Sequence, residues 1–182
     1  MKNKVLIILA ILLVMAVSVV LYLSKNTKQK PVVTSFDECV AAGSLVMDSY
    51  PRQCQDSGRS FTEDIGNVLE KLDFIRIEYP RPNQVITSPL VIKGEARGSW
   101  FSEASFPIFL TRWDGKILAQ GIATAKSDWM TTEFVPYEAT LTFVADVDIH
   151  NKRGSLILRK DNPSGLPEHD NALEIPVFFS QE

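Results

Sequence analysis

From Phe74 onward, apolar side chains recur at every second position in short runs divided by Gly, Pro, Asn and Asp, and this period of two constrains the fold more than any other feature. Such alternation builds strands with one buried and one wet face. Ile75, Ile77 and Tyr79 open the series, which Pro80 and Pro82 terminate, and Leu90-Val91-Ile92 follows with Pro89 confined to its start. Phe106 to Trp113 and Lys116 to Ala125 flank Asp114-Gly115, a pair suited to the type I′ turn that matches strand twist, so these two runs are expected to form a hairpin. Further strands are expected over Trp129 to Phe134 and Ala139 to Val144, separated by Pro136, then over Ser155 to Leu158. Ala172 to Phe178 closes the series, with Pro176 marking an edge or bulged strand. The pattern predicts a mainly β, two-sheet antiparallel β-sandwich of seven or eight strands over residues 74–179, with a closed barrel as the alternative. Its expected core is Ile75, Ile77, Val91, Ile108, Leu110, Ile117, Leu141, Phe143, Leu156, Leu158, Ile175 and Val177.

Residues Val5 to Leu23 form an apolar run of nineteen in which Ser18 is the one clearly polar member. At ~1.5 Å per residue a helix of that length nearly crosses a ~30 Å hydrocarbon layer, so the run predicts an N-terminal transmembrane helix acting as an uncleaved signal anchor, with a cleaved signal peptide and after it a buried soluble helix as the alternatives. No small-residue cleavage pattern follows it directly, the exit reading Leu21-Tyr22-Leu23-Ser24-Lys25. Lys2 and Lys4 precede the run and Lys25, Lys28 and Lys30 follow it, which does not fix its direction. The two cysteines favour placing the remainder outside the cytoplasm. The expected organisation is an anchor at 1–24, a juxtamembrane stalk at 25–34, a two-cysteine module at 35–61, a linker helix at 62–73 and the β-domain at 74–179. This describes a single-pass membrane protein with its C-terminal domain at the periplasm or cell surface.

The first thirty residues hold five of the nineteen basic groups and no acid, so the remainder carries fourteen basic against twenty-two acidic residues. That balance argues against nucleic acid as a partner. Cys39 and Cys54 are the only cysteines, and beyond an export signal the economical reading pairs them. A disulfide closing a loop of roughly fifteen residues contributes about 3 kcal/mol on the chain-entropy account. Reactive thiols and a metal site are the alternatives, the latter disfavoured because no histidine lies near either cysteine. Ser35 followed by Glu38 is a capping-box pattern opening one or two helical turns that Gly43 ends. Leu45-Val46-Met47 is expected to be extended, and Thr62 to cap the linker helix carrying Ile65, Val68, Leu69 and Leu72 on one face.

The stretch IEYPRPNQVITSPLVIKGEARGSWFSEASFPIFLTRWDGKILAQGIATAKSDWM, with EFVPYEATLTF and DNPSGLPEHDNALEIPVFF, closely resembles the immunoglobulin-like domain of bacterial spore germination over roughly residues 74–179. The features that carry the likeness are Pro82 with Ser88-Pro89-Leu90, Gly94 and Ala96 ahead of Trp100-Phe101, the hairpin with Gly115, Gly121 and Ala123, Asp128-Trp129, and Ser164-Gly165. The resemblance implies an immunoglobulin-like sandwich and a non-catalytic module of envelope proteins. The string SFDECVAAGSLVMDSYPRQC is similar to a small two-cysteine segment recurring in exported bacterial proteins, a likeness that implies no activity.

Nucleophilic catalysis needs a base beside the nucleophile, and the two histidines, His150 and His169, sit in polar stretches without catalytic spacing, so no catalytic residue and no cofactor are expected. Asp146, Asp148, His150 and Asn151 alternate as in a calcium loop but lack its glycine and terminal glutamate. Asp161, Glu168, His169 and Asp170 lie in a denser loop with Pro163, Gly165 and Pro167, a weak cation or ligand candidate whose plainer reading is a solvated loop held by proline. Trp100, Phe101 and Trp129 either line an aromatic binding surface or cap the core. The resulting expectation is a membrane-anchored, non-enzymatic binding or scaffolding protein of the bacterial envelope, held to the cytoplasmic membrane through residues 5–23 and meeting an envelope protein or cell-wall glycan. A purely structural spacer, and after it a cell-wall hydrolase, are the other readings.

Overall fold

A computed structural model describes residues 11–19, 22, 32–144 and 152–180. Two units follow one another along the chain. The first is built on the helix Phe36–Ala41 and a three-stranded antiparallel sheet of β1 (Leu45–Met47), β2 (Gln53–Asp56) and β3 (Arg59–Thr62). The Ser35 side chain accepts from the Glu38 N–H and caps the helix, while Gly43 at φ 72° turns the chain after it. The Glu38 carboxylate accepts from both the N–H and the hydroxyl of Thr34, so it reaches one residue further back than a capping box requires. Cys39 and Cys54 are joined, both fully buried, and with Val33 and Phe36 they form this unit's own small core. The disulfide ties the helix to β2 and thereby supplies what a core of four buried residues lacks.

The second unit holds β4 (Ile75–Tyr79), β5 (Val85–Ile86), β6 (Leu90–Arg97), β7 (Ser105–Arg112), β8 (Ile117–Ala125), β9 (Phe134–Leu141), β10 (Arg153–Arg159) and β11 (Ala172–Phe179). They join in one sheet in the order β4-β6-β9-β8-β7-β10-β11-β5, so the expected division into two separate sheets is corrected to a single curled one. Curvature follows from chain length. In a flat sheet β6 and β5 would stand six spacings apart, about 29 Å, yet the link from Ile86 to Leu90 spans at most ~14 Å. The two ends therefore approach each other, and Ser88 of that link accepts from the Phe143 N–H beyond β9. The join between the halves is β8, paired with β7 along most of its length but with β9 only through Thr124 with Glu138 and Ala125 with Tyr137. Inward side chains from all eight strands share one core, including T-shaped contacts of Phe106 with Tyr137 and of Phe143 with Phe179.

Several local expectations change in this frame. Pro136 does not divide two strands: β9 runs through it, opposite Glu95, and residues 127–133 are irregular chain with bends rather than a strand. Thr62 ends β3 instead of capping a helix, and the linker helix is reduced to Val68–Lys71. Val91 and Ile117 point outward, 37% and 53% exposed, because Leu90 and Ile92 take the inward register of β6 and the turn at Asp114-Gly115 starts β8 one residue out of step. The predicted transmembrane helix is also corrected. Among the described residues no helix is long and apolar enough to cross a membrane. Residues 11–19 are helical, a rise of about 14 Å, under half of a hydrocarbon core; residues 5–10, 20, 21 and 23 of the expected span lie outside the described residues. The single-pass anchor, the membrane contact through residues 5–23 and the membrane localisation built on it are withdrawn.

Candidate functional site

The aromatic residues singled out from the sequence lie inside. A 3₁₀ turn over Gly98–Trp100 carries Trp100 and Phe101 into the core at 1% and 5% exposure, where Phe101 stacks at a tilt on Phe106 with centroids 5.2 Å apart. Trp129 is half-buried against the same core. Gly98 makes this possible: a Cβ there would stand 1.9 Å from the Thr131 carbonyl oxygen and 2.3 Å from that of Trp129. Trp100 and Phe101 therefore close one end of the core, with Trp129 half-buried against it. The physical reason is volume, since Trp100 is the largest of the fully buried side chains and fills space in the core.

The loop of Asp161, Glu168, His169 and Asp170 is exposed and tied to itself. Asp170 accepts from Asn162 and from Arg159, and these bonds hold its carboxyl below the ordinary aspartate range. Ser164 bonds Asn162 and approaches the His169 ring. Asp161 contributes its N–H to the Trp100 carbonyl rather than a ligand oxygen to a shared point. Among the described residues no group of three His, Cys, Asp or Glu is arranged to hold a metal ion. Asp146, Asp148, His150 and Asn151 lie outside the described residues.

The junction between the two units was not foreseen. Arg153, at the start of β10, reaches Asp37 of the first unit's helix at 3.0 Å. Asn83, in a left-handed conformation at φ 63°, donates to the Glu63 carboxylate and to the Asp64 carbonyl. Glu63, whose side chain is 9% exposed, is gripped by Arg52 at 2.6 Å, which holds its carboxyl below the usual glutamate range. A polar groove of about 380 Å³ runs along this seam between Thr34, Asp37, Phe61, Glu63, Asn83 and Arg153. Nearby, Asn67 behaves like one rung of an added strand: its amide donates to the Ala172 carbonyl and accepts from the Glu174 N–H, and its own N–H bonds the Glu174 carbonyl. The edge of β11 is thus covered by Asn67, by the Asn83 N–H on the Pro176 carbonyl, and by β5. The signal available in sequence was faint, two asparagines in Gly- and Pro-bearing loops.

A family model described as the immunoglobulin-like domain of bacterial spore germination matches residues 74–165, just over half of the chain. The chain belongs to this family. No curated protein and no solved structure matches it. The spore-germination immunoglobulin-like domain is here preceded by the two-cysteine segment closed by Cys39 and Cys54. The matched region contains every strand from β4 to β10.

Proposed function

We propose that the chain is a non-catalytic structural spacer working in an oxidising compartment outside the cytoplasm. The observation that carries this reading is the seam between the units, where Asp37 pairs with Arg153 and Glu63, held by Arg52 of the stapled module, accepts from Asn83 of the β-domain. A spacer has to resist bending, and a seam crossed by several bonds does so better than a single linker. The disulfide supports the oxidising location, because the reducing cytosol disfavours such bonds. Nuclear spin relaxation on the full chain tests the reading: the amides of residues 36–62 and 75–179 should report one common tumbling time. Two distinct times would overturn the rigid spacer, and release of fragments from purified wall polymer would overturn its non-catalytic character in favour of a hydrolase.

A further inference from the structure

The two outward faces of the curled sheet carry different chemistry. On β4, β6 and β9 the outward positions pair charges across strands, Arg76 with Glu95 and Lys93 with Glu138, as a face turned to water should. On β8, β7, β10 and β11 they do not. The register sets Gln120, Phe109, Ile157 and Glu174 side by side in one row across the four strands. One step along the strands, Ile122 stands opposite Pro107 and Ala172 opposite Arg159. One step the other way, beyond the bulge in β8, Ile117 stands opposite Thr111 and Pro176 opposite Ser155. Ile122 and Ile117 are 63% and 53% exposed, and Gln120 and Glu174 are exposed with them, so among the described residues these rows stay open to solvent. The stapled module stops one row beyond, at Arg153, and the linker stops at the β11 edge.

We propose that this face is the contact between two copies of the chain, stacked sheet on sheet about a two-fold axis parallel to the strands. The pattern itself argues for a second copy. Such an axis keeps each row at its own level and exchanges β8 with β11 and β7 with β10, so Phe109 meets the second copy's Ile157, Ile122 its Ala172 and Ile117 its Pro176. In the central row Gln120 meets Glu174. Apolar thus falls on apolar, and the carboxylate receives an amide donor. An axis across the strands would instead set Glu174 on Glu174, like charge on like charge. Four strands ~4.8 Å apart and six residues of ~3.3 Å give roughly 400 Å² per copy, so the dimer is weak and reversible. The inference goes beyond the spacer reading and does not rest on it, because its test observes the sheet face and not the seam.

Sedimentation equilibrium of the full chain at concentrations up to about 1 mM tests it, with amide spectra locating the contact. Concentration-dependent shifts are expected along the three rows. Position 120 reads the orientation. Gln120→Lys should tighten the dimer about fivefold through its two symmetric contacts with Glu174, and Gln120→Glu should weaken it by a similar factor. Ile117→Thr together with Ile122→Thr should weaken it about tenfold and leave the thermal melt in place, since both side chains are exposed and threonine keeps the β-branch. A chain monomeric throughout, equal weakening by Gln120→Lys and Gln120→Glu, or self-association indifferent to every one of these substitutions, as the exposed apolar helix at residues 11–19 would produce, would each overturn the interface.

Discussion

Tyr137 shows how one side chain sets the geometry of an edge. Its ring lies beneath Gly94, and its hydroxyl donates to the Arg76 carbonyl at 3.0 Å, so β9 reaches past β6 to hold β4. Burial pushes its ionisation well above the ordinary tyrosine range, which keeps the hydroxyl a donor at every physiological pH. Tyr137→Phe is expected to cost about 1–2 kcal/mol, measured by chemical denaturation, because the Arg76 carbonyl loses its partner. Gly94→Ala should cost more, since its Cβ would stand 2.1 Å from that carbonyl oxygen and 2.4 Å from the Tyr137 hydroxyl. Glu63 supplies the pH dependence. Its folded-state value is depressed below 4.5, so it contributes stability above that pH which is lost as pH falls through the lower folded value. Acidification below about 4.5 should therefore loosen the seam first, visible as faster amide exchange around Asn83 and Glu63 before the β-domain melts.

At the scale of elements, the outer face of β4, β6 and β9 is held by charge. Arg76 and Arg97 stack on the Phe134 ring with their guanidinium carbons 4.0 and 4.1 Å from its centre, and Arg76 also pairs with Glu95. Both arginines also donate to the end of the linker, Arg76 to the Leu72 carbonyl and Arg97 to the Asp73 carbonyl. The Ala172–Glu174 stretch of the β11 edge is covered by one residue, Asn67. Asn67→Ala removes an added rung, and its expected cost is about 1–3 kcal/mol with an increased tendency to associate through the uncovered edge, checked by denaturation and by sedimentation. The hairpin β7–β8 is the element most fully specified by its own residues: Asp114 pairs with Arg112 and accepts from the Lys116 N–H, holding its carboxyl at about 2. Its strands match the sequence reading to within a residue at either side of the turn.

The molecule has two cores, the small one of the first unit and a large cluster drawn from every strand of the β-domain plus Ile65 and Val68 of the linker. Trp100→Ala removes the largest fully buried side chain, with an expected cost of about 3–5 kcal/mol in thermal or chemical unfolding. Loss of the Cys39–Cys54 link acts elsewhere. Replacing both cysteines with alanine should destabilise the first unit by about 3 kcal/mol while the β-domain keeps its melting transition, resolvable by hydrogen exchange on each unit.

The sequence by itself determined the period of two, the hairpin at Asp114-Gly115, the cysteine pair and most of the inward residues, because alternation, turn chemistry and redox logic are local properties. It also carried the family, through motifs spread along residues 74–165. Only the tertiary structure decided that the strands make one curled sheet, that Pro136 sits inside a strand, that Trp100 and Phe101 close a core, that Asn67 covers the β11 edge, and that Asn83 and Arg153 reach across to the first unit. Each of these depends on partners distant in the chain, as Asn67 and Glu174 are, 107 residues apart. Local pattern says which face of a strand seeks burial; which residue meets it across the fold is set by how the whole sheet closes.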